Sequence, residues 1–271
     1  MKTRFSTILV AAISLSGNLQ AQPAQIGNQL SGIVGGGFRY SERRSDSQTL
    51  RSYTIPVFLP LEATLGRLFL TGSLEYAKNE ATGLADGRSE GLNYVNMEGR
   101  FRAIDSGRFK LDVSEVAGIS TARKEESGLA GLQRGYRMDT GVSLGYRRDQ
   151  LNMELLARHT WNKARGDYRQ GDVLAGGLMF GWGIGDYSGE TWPVNLMMGV
   201  TSRVYSADRF RGEEMPGTDY GTVFFSPGLM LSGRSVSLRA GLDFPIKHLG
   251  QEDRGYRDRM RANIGLKYLL Q

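Results

Sequence analysis

The alternation at the C-terminal end of the sequence constrains the fold more than any other feature. From Met260 to Leu270 every second residue is apolar or small, and the positions between them, as far as Lys267, hold charged residues, asparagine or glycine. A period of two residues is that of a β-strand with one apolar and one polar face. A strand that continues to the end of the sequence suits a sheet that its final strand must close, as in an outer-membrane barrel.

The N-terminal segment predicts export. Lys2 and Arg4 precede the apolar run 8–13, and polar residues follow as far as Ala21. A basic start, a short apolar core and a small final residue are typical of a secretory signal peptide, so we expect cleavage after Ala21 (segment 1–21) and a mature barrel over residues 22–271. The alternative is a first helix of the fold. The apolar core is too short to span a bilayer, so we do not expect an anchor.

Composition agrees with a barrel and excludes other classes. The mature sequence has no run near the roughly 20 apolar residues that a membrane helix needs, and barrel strands are half polar, so a mildly negative mean hydropathy is no objection. The sequence has no cysteine, which excludes disulfides and thiolate metal sites. Removal of Lys2 and Arg4 lowers the formal charge from +6 to +4, with 32 basic against 28 acidic residues. Such a balance, spread along the sequence, argues against nucleic acid as a partner.

Twelve segments with strand patterns follow one another. They are residues 29–41, 50–63, 67–78, 92–103, 108–120, 136–147, 150–162, 172–184, 192–205, 219–231, 235–246 and 257–271. Connections after even-numbered strands are mostly short, whereas those at 79–91, 121–135 and 206–218 are long and charged. Short turns at one end and long loops at the other are typical of a bacterial outer-membrane barrel with both termini in the periplasm. We therefore predict an all-β protein with one antiparallel transmembrane barrel of about twelve strands.

The positions of the aromatic residues favour this barrel over a soluble sandwich. In a sandwich they would fill the core in mid-strand, whereas a membrane barrel collects them at both ends of its apolar outer face. At the long-loop end we expect Tyr40, Tyr53, Tyr76 and Trp161; at the short-turn end we expect Phe101, Phe109, Tyr146, Trp182, Trp192 and Tyr268.

Several residues fit the strand pattern less well. Proline within a strand removes a ladder hydrogen bond, so we expect local bulges at Pro56, Pro60, Pro227 and Pro245. Glu115 falls on the lipid-facing side of its strand, and we expect a bulge near 116–118 to turn it inward. The run Gly35-Gly36-Gly37 lies inside the first strand, where it relieves crowding or allows curvature rather than binding phosphate.

The last three strands carry a family resemblance. Their segments are Phe224-Phe225-Ser226-Pro227-Gly228-Leu229, Ala240-Gly241-Leu242-Asp243-Phe244-Pro245-Ile246, Tyr256-Arg257 and Ala262-Asn263-Ile264-Gly265-Leu266-Lys267-Tyr268. They resemble the closing strands of the outer-membrane channel family named after the MetA pathway of phenol degradation, and the hairpin from Ile55 to Tyr76 is compatible with it. The resemblance implies a barrel associated with uptake or export of small organic molecules, built by the barrel-assembly machinery of a Gram-negative outer membrane.

Strand parity also predicts which charges face the lumen. The inward set is Arg39, Glu62, Glu75, Glu98, Arg100, Arg102, Lys110, Asp112, Arg137, Asp139, Glu154, Arg158, Arg203, Arg239, Asp243, Arg259, Arg261 and Lys267. Because rings of charged side chains set pore selectivity, this basic excess predicts a channel or transporter for small organic or anionic solutes. The alternative is that the charges pair across strands and plug the lumen. Twelve strands lie between filled and open barrels, so size does not decide between the two.

The alternatives to a channel are a lipid hydrolase and a plugged or structural barrel. A hydrolase acting on membrane lipids would need a serine, a histidine and an orienting carboxylate or amide; His159, His248, Ser120, Ser206 and Asp208 fall near the same rim, but no local signature groups them. We therefore expect no enzyme activity, no metal and no cofactor. A plugged or structural barrel would act through its charged long loops, whose basic residues suit lipopolysaccharide phosphates. We expect a monomer surrounded by outer-membrane lipid.

Overall fold

The computed structural model describes residues 29–45, 48–65, 67–83, 86–121, 135–163, 168–184, 194–215, 218–233, 236–250 and 257–270. Within these ranges the regular structure consists of β-strands, and no helix there is long and apolar enough to cross a membrane. The predicted signal peptide lies outside the described residues, as do Trp192 and most of the loop 121–135.

The described residues form sixteen strands. In chain order they are β1 Gln29–Arg44, β2 Gln48–Leu65, β3 Leu68–Gly83, β4 Gly87–Asp105, β5 Phe109–Ser120, β6 Tyr136–Arg148, β7 Leu151–Lys163, β8 Tyr168–Arg169, β9 Val173–Ile184, β10 Val194–Tyr205, β11 Arg209–Phe210, β12 Glu213–Glu214, β13 Tyr220–Phe225, β14 Gly228–Ser232, β15 Val236–Leu249 and β16 Arg257–Leu270.

Antiparallel pairing closes these strands into a barrel of twelve positions. β1 to β7 pair in sequence and are followed by β9 and β10. β13 and β14 are two halves of one position, because both pair with β10 on one side and with β15 on the other. β16 joins β15 to β1, from Gly32 opposite Leu270 to Arg44 opposite Arg257. The predicted twelve-stranded barrel, closed by its last strand, is confirmed.

The strands extend further at one end than the sequence indicates. We call the end carrying the connections 45–48, 84–86 and 121–135 the loop end, and the opposite end the turn end. The predicted loop 79–91 is mostly strand, because β3 and β4 continue pairing to Ala81 opposite Gly87. The predicted loop 206–218 contains β11 and β12, which form a three-stranded sheet with β8 at the loop end.

Register shifts occur at two of the four prolines where bulges were expected. Ser226 and Pro227 separate β13 from β14, and the register shifts near Pro60 and at Pro245. At Pro56 the pairing of β2 with β1 is interrupted, but there and at Pro227 the register is the same on both sides, so the bulges expected at these two prolines are absent. The bulge predicted near 116–118 is absent, because β5 pairs with β6 without a shift from Phe109 to Ile119. That prediction was wrong, and Glu115 stays on the outer face.

The outer wall is apolar and bordered by aromatic rings. Its exposed side chains include Met97, Leu155, Leu178, Met198 and Ile264 in mid-strand. At the ends, Tyr40 packs on Tyr53 with ring centroids 5.3 Å apart, and Phe109 on Tyr146 at 4.9 Å. Such an outer wall is that of a barrel surrounded by lipid.

The glycine run in β1 serves close strand packing. A Cβ on Gly37 would lie 2.7 Å from the carbonyl oxygen of Ile264 on β16, and one on Gly35 would lie 2.5 Å from that of Leu266. Real Cβ atoms do not approach backbone oxygen so closely. The run therefore allows β1 to lie tightly against β16 where the barrel closes, in agreement with the prediction that it relieves crowding.

Candidate functional site

The inner wall of the barrel is lined by charged side chains. Residues on it alternate with exposed outer neighbours, as Arg137 and Asp139 do with Tyr136 and Met138 on β6. Of the charges predicted to face the lumen, those that the structure places on the inner wall are Arg39, Glu75, Glu98, Arg100, Arg102, Lys110, Asp112, Arg137, Asp139, Glu154, Arg158, Arg203, Arg239, Asp243, Arg261 and Lys267.

The other two residues of the set predicted to face the lumen are Arg259 and Glu62. Arg259 is exposed, because β16 carries an extra residue where the register with β1 shifts between Glu42 and Arg43. That bulge turns the neighbouring Asp258 inward, where it is 0 % exposed. Of Glu62, the structure describes the backbone alone.

Five residues near the loop end form what we call the mouth cluster: Arg43, Tyr205, Tyr220, Asp258 and Arg261. Asp258 Oδ1 accepts hydrogen bonds from Arg43 Nε at 3.3 Å and Arg261 Nη2 at 2.9 Å. The Tyr205 hydroxyl accepts from the same two guanidinium groups, at 3.1 and 2.8 Å. The rings of Tyr205 and Tyr220 stack 4.6 Å apart, and Arg43 lies over both. One carboxylate thus holds two buried cations.

The mouth cluster joins opposite parts of the wall. Arg43 comes from β1, whereas Tyr205 comes from β10, four barrel positions away. At the same level Leu50 of β2 packs against Val173 of β9, Tyr205 and Tyr220, and β2 and β9 lie six positions apart in a ring of twelve. Arg43 is 2 % and Tyr205 4 % exposed. Side chains therefore fill the lumen at this level.

Below the mouth cluster lies a cavity of about 50 Å³, which we call the lumen cavity. Its lining residues are Arg39, Pro56, Phe58, Thr71, Ser73, Glu75, Asn96, Glu98, Val116, Arg137, Asp139 and Arg158. Glu75 Oε2 lies 3.9 Å from both Arg39 Nη1 and Arg137 Nη2, and Arg137 Nη2 also donates to Asn96 Oδ1 at 3.1 Å. Two guanidinium groups from β1 and β6 thus converge on one carboxylate of β3.

A bulge in β4 completes this arrangement. Glu75 pairs with Tyr94 and Tyr76 pairs with Leu92, so Asn93 is the extra residue between them. Both Asn93 and Tyr94 are fully buried. Asn93 Nδ2 donates to Glu75 Oε1 at 3.2 Å, and the Tyr94 ring lies 4.5 Å beneath the guanidinium carbon of Arg137. The bulge supplies two supporting side chains where a regular strand would supply one.

Toward the turn end the lining becomes partly apolar. Met179, Met197 and Met230 of β9, β10 and β14 form a buried cluster, with Asn152 donating to Asn195 at 3.3 Å beside it. Arg102 binds Asp112 through two hydrogen bonds of 2.9 and 3.2 Å. Charged pairs and a methionine layer thus follow one another along the lumen.

Sequence patterns missed several of these residues for identifiable reasons. Arg43 lies beyond the predicted end of the first strand, although the Arg39 parity, extended by four residues, would have placed it inward. Asn93 and Asp258 take their places through bulges, which alternation does not predict. Tyr205 is the last residue of its strand, and its contacts across the lumen depend on barrel closure, which one strand's pattern does not show.

Four of the residues considered for hydrolysis make contacts with groups outside that set. His159 lies on the outer face, edge-on to Trp161 with ring centroids 4.1 Å apart, and His248 contacts Thr222 at 3.4 Å. Ser206 Oγ accepts from the Asp172 amide and Asp208 Oδ1 from the Gly171 amide, at 2.8 and 2.7 Å. Ser206 and Asp208 thus hold the loop-end connections in place.

A closed antiparallel barrel with an apolar, aromatic-bordered exterior and a charged interior defines an outer-membrane β-barrel protein. No family model and no curated protein matches the sequence. Among solved structures, the barrel is similar to an outer membrane channel from Pseudomonas putida F1, with a TM-score of 0.67 and 13% identity over 93% of this chain and 100% of that one.

Two further similar structures are autotransporter barrels. The β domain of the Bordetella autotransporter BrkA gives a TM-score of 0.56 at 14% identity, over 89% of this chain and 99% of that one. The translocator domain of NalP from Neisseria meningitidis gives 0.50 at 12%, over 90% of each. At these identities the likeness is one of fold, so function has to be argued from the lumen.

Proposed function

We propose that this protein is an outer-membrane channel for small organic or anionic solutes, held closed at the loop end by the mouth cluster. The observation that carries the proposal is the lumen cavity, a space lined by charged side chains inside the barrel. A barrel that served only as a structural element would gain nothing from such a space, since cavities cost packing energy.

The charge of the lining supports a preference for anions. The inner-wall charges named above, with Arg43 and Asp258 added, comprise eleven basic and seven acidic side chains. Charged rings at close quarters set the selectivity of a pore. Along the lumen, Arg100 and Arg239 stand nearer the turn end than the lumen cavity and are half-buried.

The finer assignments are also proposals. We place the protein in the family named after the MetA pathway of phenol degradation, which the segment around Ser226-Pro227 and the closing strands β15 and β16 support. We propose that it acts without a catalytic step, as a monomer inserted by the barrel-assembly machinery. Arg209 and Arg88, exposed at the loop end, have the chemistry to bind lipopolysaccharide phosphates.

Single-channel recording in a planar bilayer tests the channel. We expect the refolded protein to give discrete conductance steps when the mouth cluster opens, with anion selectivity shown by the reversal potential in a salt gradient. The variants Arg100→Gln and Arg239→Gln should lower that selectivity, whereas Lys78→Gln, on the outer face, should not. A folded, heat-modifiable barrel that stays silent, both as the full chain and with the mouth cluster removed, would overturn the proposal.

That silent outcome would favour the plugged barrel instead. The mouth cluster supports the plugged barrel, because it fills the lumen with paired side chains from different parts of the wall. A plugged barrel would act through its loop end, where β8, β11 and β12 form an ordered sheet.

A further inference from the structure

We propose that the lumen cavity is a binding site for a small zwitterion that carries an apolar group, such as an amino acid with a large apolar side chain. The inference rests on the proposed channel function and deepens it by naming the class of solute. It uses three properties of the lining: its charge balance, two atoms without hydrogen-bond partners, and an apolar wall.

The lumen cavity is electrically balanced, unlike the lumen as a whole. Three guanidinium groups line it, from Arg39, Arg137 and Arg158, and three carboxylates face them, from Glu75, Glu98 and Asp139. A solute with a net charge would be buried there without a countercharge. The free energy needed to desolvate it would then exceed the free energy gained from its new contacts. A zwitterionic solute brings one positive and one negative group, so the net charge inside the lumen cavity stays at zero.

Two lining atoms lack hydrogen-bond partners. Arg137 Nε and Asp139 Oδ1 are buried and make no hydrogen bond within the protein. Their side chains lie together, with Arg137 Nε 3.4 Å from the other oxygen of Asp139, and both residues are more than nine-tenths buried. Buried polar atoms are nearly always satisfied, so these two point to a ligand. A donor beside an acceptor of opposite charge fits a carboxylate next to an ammonium, as in an α-amino acid.

An apolar wall completes the lumen cavity. Pro56 and Phe58 of β2 and Val116 of β5 line it together with the charged groups. Lys267 Nζ lies over the Phe58 ring, 5.0 Å from its centroid. Small-molecule sites combine such apolar surface with a few oriented polar groups. The wall therefore favours a solute with an aromatic or branched side chain over glycine.

Isothermal titration of the refolded full-length barrel in detergent micelles tests the proposal with three matched probes. L-Phenylalanine is a zwitterion, 3-phenylpropionate has only the carboxylate, and phenethylamine has only the ammonium. Each is titrated into empty micelles as a blank. We expect L-phenylalanine to bind at least about tenfold more tightly than either relative, because each relative leaves one buried charge unanswered.

The variant Asp139→Asn locates the site. It keeps the shape of the side chain but removes the charge that meets the ammonium, so the affinity for L-phenylalanine should fall at least about tenfold, to that of 3-phenylpropionate. Asp149→Asn is the matched control, because Asp149 is exposed in a turn with a φ of 50° that asparagine tolerates. Phe58→Ala should weaken all three probes by a similar factor and leave their order unchanged.

The outcomes distinguish the zwitterion-binding site from the proposed channel function. Tighter or equal binding of 3-phenylpropionate, or no binding of any probe to a folded barrel, would refute the zwitterion site while conductance could still be observed. Binding without conductance in the bilayer experiment would refute the channel and leave the site standing. If Asp139→Asn does not fold, the order of the three probes on the native barrel and on Phe58→Ala still decides the question.

Discussion

Single residues decide whether the interior charges are compatible with a stable barrel. Asp258 is fully buried and is the carboxylate that both Arg43 and Arg261 bind. Replacing it with asparagine leaves two buried guanidinium groups facing each other without a countercharge. Breaking a buried pair in this way costs about 3–5 kcal/mol. We expect Asp258→Asn to lower the free energy of unfolding by that order, measured by urea titration of the barrel in lipid vesicles.

The same titration of Asp149→Asn provides the control, since Asp149 lies in an exposed turn and should change stability little. A barrel with Asp258→Asn as stable as the control would mean that the two cations are neutralised by another partner.

At the same scale, Glu115 is a charge on the lipid-facing wall. It accepts a hydrogen bond from Thr140, its cross-strand neighbour on β6, which offsets part of its cost. Acidic residues on the lipid face still destabilise a barrel, by less than the about 2–4 kcal/mol of a midplane lysine or arginine. We expect the paired replacement Glu115→Leu with Thr140→Val to raise the free energy of unfolding by about 1 kcal/mol. A fall in the same urea titration would show that this polar pair meets a partner in the membrane.

At the scale of elements, alternation and turn residues were sufficient to place all twelve barrel positions. Period two is visible in one sequence because each strand meets lipid on one side and charge on the other. It also placed Arg39 and Asp139 on the inner wall. It failed at Asn93 and Asp258, because a bulge changes the face of every residue beyond it. The segments beyond these two bulges, 87–92 and 257–259, hold almost no apolar residues to show the change. The cross-lumen contact of Arg43 with Tyr205 was equally hidden, since it depends on barrel closure.

The small sheet of β8, β11 and β12 is the element most separable from the barrel. It is anchored by the Asp208 amide, which donates to Thr218 Oγ1 at 2.8 Å, and by the Met215 amide, which donates to the Asp208 carbonyl at 2.8 Å. Replacing residues 209–214 with a Gly-Ser linker spares these barrel-side residues. We expect conductance and ion selectivity to be retained in a planar bilayer, because the substituted residues are outside the lumen. Loss of a cellular activity with conductance intact would assign that activity to the loop end.

For the whole molecule, the question is what holds the lumen closed. The mouth cluster fills the cross-section with Arg43, Tyr205 and Tyr220, and the Asp258–Arg261 pair supports them from β16. The double variant Arg43→Ala with Tyr205→Ala removes two side chains that meet across the lumen but leaves Asp258 bound to Arg261, so no buried carboxylate loses its last cation. We expect a folded barrel whose single-channel conductance is several-fold higher than that of the native protein, because the lumen cavity then opens to the loop end.

The matched variant Arg51→Ala with Tyr53→Ala removes the same residue types from the outer face of β2 and should leave conductance unchanged. Anion selectivity should also decrease in the mouth variant, since Arg43 contributes one of the basic side chains of the lining. Unchanged conductance would place the constriction nearer the turn end, at the layer of Met179, Met197 and Met230. A rise in both double variants would instead indicate a general loosening of the barrel wall, because only one of them alters the lumen.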